Sequence, residues 1–423
     1  MVRTQMKPLS EFNLFEPETL KCPYPFYERL RAEAPVYLIP GFGMYLVSTY
    51  ELIREVVKNT ALWSSAVAAG APPAQMTNPD DVVMQQIHAI LKSDVPLEQT
   101  LLSVDPPEHA KHRTLVNKVF AASRVKTLVP YIDGIVAKLI DSFIDTGHVE
   151  FMEQFAEPLP LLIIREQLGV PDEDADFFNR AANAAAEVLS MIPPTPARAL
   201  ERVQLNHDLQ KYFLAKCEER RREPREDMLT ILVQSMYEGE RPLRDGEILS
   251  ILQQFLVAGH ETTTSALGAG MRLLIEHPEQ LQLLRDDPGL IANFVEETLR
   301  LEAPVQGLMR IATNDTQLGG VDLPKGSIIM LRYGAANRDE AVFPEPDRLD
   351  VCRANANRQL AFGTGVHACV GAPLARQEMI SAFAAIIARM KHFKLDPHQP
   401  EPTNDPSFLL MGLNNLHMTF DRA

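Results

Sequence analysis

Cysteine is scarce in this chain: 423 residues contain four, alongside a single tryptophan. So few thiols over such a length exclude a disulfide framework. No stretch reaches the roughly 18 consecutive apolar residues of a membrane-spanning helix. The longest candidate, Ile248–Ala258, is interrupted by Gln253 and Gln254. The opening segment, MVRTQMKPLSEF, lacks the apolar run of a signal peptide. Together these absences predict a cytoplasmic protein with no membrane partner. Basic charge is also short: 41 Lys and Arg stand against 56 Asp and Glu, a net charge of −15. That balance excludes nucleic-acid binding through a basic surface. Internal repeats, low-complexity tracts, Gly/Ser linkers and a Gly-x-Gly-x-x-Gly dinucleotide fingerprint are all missing.

What is present is mostly helical periodicity. Pro25–Ala34, Tyr50–Lys58, Asp172–Met191, Pro196–Arg222, Gly289–Leu301 and Ala372–Met390 read as helices. Asp245 reads as the N-cap of a long helix running to His277, where Pro278 stops it. At 1.5 Å per residue that helix spans about 50 Å. Val36–Leu38 and Met44–Ser48 read as strands about a turn at Gly41–Gly43, and Val305–Met330 carries strand and turn signals. Residues 64–104, with Ala71-Pro72-Pro73 inside, read as a long loop holding one short helix; long loops in compact chains are often functional. The expectation is one domain over residues 1–423, mainly α with a small β region. Its β-rich portion lies mainly in 36–60 and 305–335, and its helical portion in 106–304 and 372–392.

One cysteine has a distinctive setting. Cys369 lies in the segment Phe362-Gly363-Thr364-Gly365-Val366-His367-Ala368-Cys369-Val370-Gly371, just before a helix that begins near Ala372-Pro373. Free N–H groups and the positive end of a helix favour a thiolate and lower its pKa. Gly363, Gly365 and Gly371 let the backbone approach something large and flat, under an apolar cover from Phe362. Cys22, Cys217 and Cys352 lack such surroundings and read as structural. No second Cys or His lies at zinc-ligand spacing from Cys369.

The loop resembles the cysteine-ligand loop of the cytochrome P450 family, Phe-Gly-x-Gly-x-His-x-Cys-x-Gly, at every fixed position. The resemblance extends from about Asn13 to Phe420. It implies a triangular, mainly helical fold with a long central helix over haem b (iron protoporphyrin IX), and Cys369 as the axial iron ligand.

Other segments fit the same resemblance. Within the long helix, Ala258-Gly259-His260-Glu261-Thr262-Thr263-Thr264 holds poor helix formers whose hydroxyls can bond back to carbonyls and open the helix. A His-Glu-x-x-His metalloprotease site is excluded, because position 264 is Thr264. Glu261 and Thr262 resemble the family's acid–alcohol pair for proton delivery, and Ala258 and Gly259 would flank the oxygen pocket. Glu297 and Arg300, three apart on one helix face, resemble its Glu-x-x-Arg, with Arg348 as the third member. His109, Arg113, Arg310 and His367 resemble the partners of the haem propionates, whereas Lys111 and His112 fall on other faces and read as surface. One departure is Gln359, where many relatives carry histidine.

The resemblance implies a monomeric oxidoreductase that inserts one oxygen atom from O₂ into a hydrophobic molecule of terpenoid, steroid or aromatic type. Electrons would come from a separate ferredoxin and an NAD(P)H-dependent ferredoxin reductase, docking near Lys111, Lys118, Arg353 and Arg358. The pocket is expected from the loop after Ser64, the Ile192–Pro196 joint, Phe255, Leu256 and Ala258, Val305–Leu308 and Phe408–Met411, with Met84, Met191 and Met411 adding adaptable surface. A peroxide-using haem-thiolate enzyme, a haem-binding gas sensor and an all-helical protein without cofactor are the other readings.

Overall fold

The helices form where the apolar spacing places them, and the few strands gather into small sheets. The computed structural model describes residues 7–66, 82–187 and 194–423. The helices that position the site are α1 (Glu108–Asn117), α2 (Asp245–Gly259), α3 (Glu261–Glu276), α4 (Ile291–Leu301) and α5 (Ala372–Arg389). The architecture is mainly α with a small β region, as expected from the sequence.

A five-stranded sheet is built from β1 (Val36–Leu38), β2 (Met44–Val47), β3 (Trp63–Ser64), β4 (Gly307–Ala312) and β5 (Ile328–Arg332), in the order β1-β2-β5-β4-β3. Val36 pairs with Val47 across the antiparallel β1–β2 hairpin. β5 runs parallel to β2, with Ile328 opposite Met44, and antiparallel to β4, with Met330 opposite Met309. This sheet covers its own apolar cluster, which includes Val47, Ile53, Ile329, Leu331 and Phe343.

The larger core lies among the helices. On α4, Ile291, Phe294, Val295 and Thr298 are buried at the three- and four-residue spacing of one helical face. Phe294 meets Phe383 of α5 edge-on, with ring centroids 5.0 Å apart. Gly270 of α3 lies directly against that same Phe383 ring, where a Cβ would overlap it. The missing side chain is what lets α3 approach α5 so closely. Full burial of the Phe383 ring contributes on the order of 2–3 kcal/mol.

Several expectations are corrected. The helix from Asp245 to His277 is two helices joined at His260, whose φ of −114° departs from helical geometry. Asp245 is the first helical residue rather than the cap; the Arg244 N–H donates to the Glu247 carboxylate at 2.8 Å. The described part of Asp172–Met191 is a 3-10 turn at Asp172–Asp174 followed by a helix over Ala175–Ala186. The loop of residues 64–104 holds a helix at Val82–Ser93 and a 3-10 turn at Leu101–Ser103. Ala71-Pro72-Pro73, Met191, Ile192 and Pro193 lie outside the described residues. No described helix is long and apolar enough to cross a membrane.

Candidate active site

The cysteine loop turns where its glycines take positive φ, +64° at Gly363 and +75° at Gly365, a region that side chains with a Cβ avoid. The Gly363 N–H donates to the Leu360 carbonyl at 2.8 Å, and the Cys369 N–H to that of Phe362 at 2.8 Å. The chain then enters α5, with Pro373 in its first turn.

Burial by the surrounding protein pushes the Cys369 thiol pKa up, against the opposing pull of the Gly371 N–H, the Arg113 guanidinium, the Ala372 N–H and Arg376. The expected helix-terminus stabilisation is therefore present, but the expected net lowering is not, because desolvation outweighs it. Of the other cysteines, Cys217 is buried and its thiol is pushed up to about 12 by burial. Cys22 and Cys352 are exposed.

Four basic side chains gather beside this loop. The His109 ring from α1 lies 4.1 Å from the ring of His367. Arg113, one turn along α1, donates to the Ala368 carbonyl at 2.6 Å and to Asn117 Oδ1 at 2.9 Å. Arg310 of β4 is buried and donates to the Met309 carbonyl at 2.7 Å. Burial lowers the pKa of His109, and Arg113, His112 and Arg310 add to the effect. His367 is pushed down to about 3, first by burial and then by His109 and Arg310. Asp105 is the acidic group that opposes both shifts, and it is already engaged by Ser64 Oγ and the Ser65 N–H. Buried His367 Nε2 has no hydrogen-bond partner. A soft sulfur donor beside a basic cluster short of carboxylate suits haem, a metal-bearing group with two carboxylates.

The helix opening lies between α2 and α3. Thr262 Oγ1 donates to the Ala258 carbonyl at 2.9 Å, and Ser265 Oγ donates to that of Glu261 at 2.9 Å, so hydroxyls take carbonyls at i−4. Thr264 Oγ1 instead reaches the Ala156 carbonyl at 3.1 Å. Gly259 faces Ile164 with room for a Cβ. Burial raises the pKa of the Glu261 carboxyl; His260 opposes this, and Glu157 and Asp405 add to it.

The Glu-Arg network differs from expectation in its third member. Buried Arg300 grips Glu297 through two bonds, at 2.7 and 2.8 Å. The second cation on Glu297 is Arg353, at 2.8 Å, not Arg348. Arg348 points outward to Glu345 at 3.0 Å and contributes only its carbonyl, which accepts from Arg300 and Arg353. The two buried guanidiniums also hold the carbonyls of Asn337, Pro344, Glu345 and Pro346, and so staple the segment leading to the cysteine loop. Arg353 sits five residues past the position chosen from sequence, and its signal there was only an arginine near the right place. Arg348→Ala is expected to change stability by less than about 0.5 kcal/mol, whereas Arg353→Met costs about 3 kcal/mol by leaving the Pro344 and Glu345 carbonyls without their donor. Parallel thermal melts of the two variants check this, and equal losses would restore Arg348 to the network.

Three further residues, none of them expected as a site residue, hold the loop. Gln359 accepts from the Ala361 N–H at 2.5 Å and donates to Glu296 at 3.1 Å. Glu296 also pairs with Arg376, which lies 4.5 Å over the Phe362 ring. Gln359 thus makes its own bonds at the position where the sequence departs. His112, expected at the surface, is buried with neither ring nitrogen hydrogen-bonded. Arg353 is likewise withdrawn from any docking face by burial. Leu256, expected in the pocket, is fully buried in the helical core, and Phe255 packs edge-on against Phe120 at 5.0 Å.

A family model described as Cytochrome P450 matches residues 173–287 and 289–419, more than half of the chain. The 6-deoxyerythronolide B hydroxylase of Saccharopolyspora erythraea is 34% identical over 406 residues, covering 94% of this chain and 96% of that protein. The structure of cytochrome P450 CYP109Q5 from Chondromyces apiculatus superposes with a TM-score of 0.84 at 32% identity, covering 98% of this chain and 99% of that one. CYP109E1 from Bacillus megaterium, solved in complex with testosterone, gives 0.80 at 29% identity, covering 94% and 99%. With a cysteine loop on a helix N-terminus, a basic cluster beside it and relatives alike over nearly their whole length, the chain belongs to the cytochrome P450 family, the haem-dependent monooxygenases.

Proposed function

We propose that this enzyme inserts one atom of O₂ into a neutral, hydrophobic molecule of terpenoid, steroid or aromatic type. In this reading it is a cytoplasmic monomer that draws electrons from a separate ferredoxin and its NAD(P)H-dependent reductase. The observation that carries it is the Cys369 loop, with the sulfur met by the Gly371 and Ala372 N–H groups beside four basic side chains. Cys369 would hold the iron of haem b, and His109, Arg113, Arg310 and His367 would take its two carboxylates, over a bed of Phe362, Gly363 and Gly371. When bound, the haem supplies the oxidising chemistry.

The chain's own part is positioning and proton handling. Glu261 offers a carboxyl whose proton affinity burial raises, and Thr262 offers a hydroxyl anchored on Ala258. Ala258 and Gly259 leave room beside them. The steroid class is supported by the testosterone complex of a similar structure. Lys111 and Lys118 line a surface cleft of about 780 Å³ against the Met236–Pro242 hairpin, and Arg358 lies near the surface over Tyr50, so these three remain the proposed ferredoxin contacts.

The test is spectroscopic and then kinetic. Reduced, haem-loaded protein under carbon monoxide should give the red-shifted Soret band of thiolate ligation, and absence of haem from the expressed protein would sink the proposal. Turnover with ferredoxin, reductase and O₂, screened with steroids and terpenoids that shift the Soret band, should exceed turnover with peroxide alone. The reverse ratio would favour the peroxide-using reading.

A further inference from the structure

His260 occupies the joint between α2 and α3 and is only 1% exposed. Its Nδ1 lies 3.2 Å from the Leu256 carbonyl oxygen, one turn back. A carbonyl can only accept, so Nδ1 carries the hydrogen and Nε2 of the neutral ring keeps its lone pair. That Nε2 lies 3.9 Å from Glu261 Oε2. The gap is too long for a direct hydrogen bond, but a small rotation of the part-exposed Glu261 side chain closes it. The ring itself cannot follow, because burial and the Leu256 bond hold it.

The charged groups that face Glu261 from other elements are both acidic. Glu157 comes from the turn entering the helix Pro158–Gln167, and Asp405 from the C-terminal loop. Glu157 accepts from Asn183 at 3.1 Å, and the Asp405 backbone is tied to Gly412. Two further carboxyl groups therefore act on Glu261 at the helix opening, and among the described residues His260 is the basic group that opposes them there, while Lys21 offsets Asp405 alone.

We propose that His260 is a positioning residue for proton delivery: its locked imidazole holds the Glu261 carboxyl at the helix opening and shares a single proton with it. The inference rests on the proton role proposed for Glu261. In the shared step one proton moves from Glu261 Oε2 to His260 Nε2, converting an acid and a neutral ring into a carboxylate and an imidazolium. No electron moves and no co-reactant is needed. The ion pair so formed offsets the repulsion from Glu157 and Asp405, so Glu261 can release its proton and later regain one through its solvent-facing side.

Infrared pH titration of the haem-loaded full chain tests this. The protonated-carboxyl band of Glu261 is identified by its loss in Glu261→Gln. In His260→Phe the band should persist to a pH higher by about one unit, because the cation that favours ionisation is gone. His260→Gln, which retains a hydrogen-bonding side chain, should shift the same way and serves if the Phe variant does not fold. The high-pH limb of coupled turnover should move with the band. An unchanged band midpoint in a folded variant overturns the role of His260. The carbon monoxide spectrum of the same samples reports separately on the thiolate reading, so failure of either is recognised by itself.

Discussion

Cys369→Ser should leave the fold standing and remove the chemistry. Among the described residues the cysteine loop is shaped by its own backbone bonds, at Gly363 to Leu360, Ala368 to Gly365 and Cys369 to Phe362, none of which uses the sulfur. A hydroxyl is close in size to the thiol and can accept from the same Gly371 and Ala372 N–H groups. The melting temperature of cofactor-free protein should therefore change little. Loss of the thiolate donor should abolish the red-shifted band under carbon monoxide and lower substrate oxidation at least about a hundredfold, or about 3 kcal/mol of barrier. A variant that retained the thiolate-type band would remove Cys369 as the iron ligand.

Glu297→Gln should lower stability by about 3–5 kcal/mol. Glu297 and Arg300 are fully buried, and Arg353 nearly so. The substitution keeps the shape but removes the one carboxylate among the described residues that meets both guanidiniums. Arg300 already has its pKa lowered by burial, with Glu297 the partner that opposes the shift. Two cations would then sit in the interior with carbonyls alone to meet them. Because those carbonyls belong to the segment before the cysteine loop, haem retention should fall together with the melting temperature. A melting temperature within a degree or so of the parent, with haem fully retained, would show that the network carries no structural weight.

Much of the fold was legible because its signals are local. The apolar spacing of Ile291, Phe294, Val295 and Thr298 marks a helix whatever that helix packs against. Pro373 just inside α5 and the glycines of the cysteine loop are backbone requirements visible in the residue types themselves. The break in the long helix was legible as a weakness, since Gly259 and three threonines adjoin, but not its point. That lies at His260, where the Leu256 carbonyl and the burial of the ring decide the geometry. Two arginines five residues apart, Arg348 and Arg353, are alike in sequence; which one turns inward depends on how residues 344–353 wrap around α4.

The residues of the Phe362–Gly371 loop, the acid and alcohol at 261 and 262, and the absence of any dinucleotide fingerprint or membrane-length apolar run are properties of the sequence by itself. They determined the family, because each is written in residue identity and short spacing; the thiolate ligand and the outside electron source belong to the proposed function. The tertiary structure alone decided that Arg353 closes the Glu297 network, that His112 is buried, that Gln359 serves where the family often has histidine, and that the Cys369 thiol is held up rather than down. Each of these depends on burial or on partners distant in the chain. Desolvation and ion pairing are set by what surrounds a group in space, and spacing along the sequence does not record that.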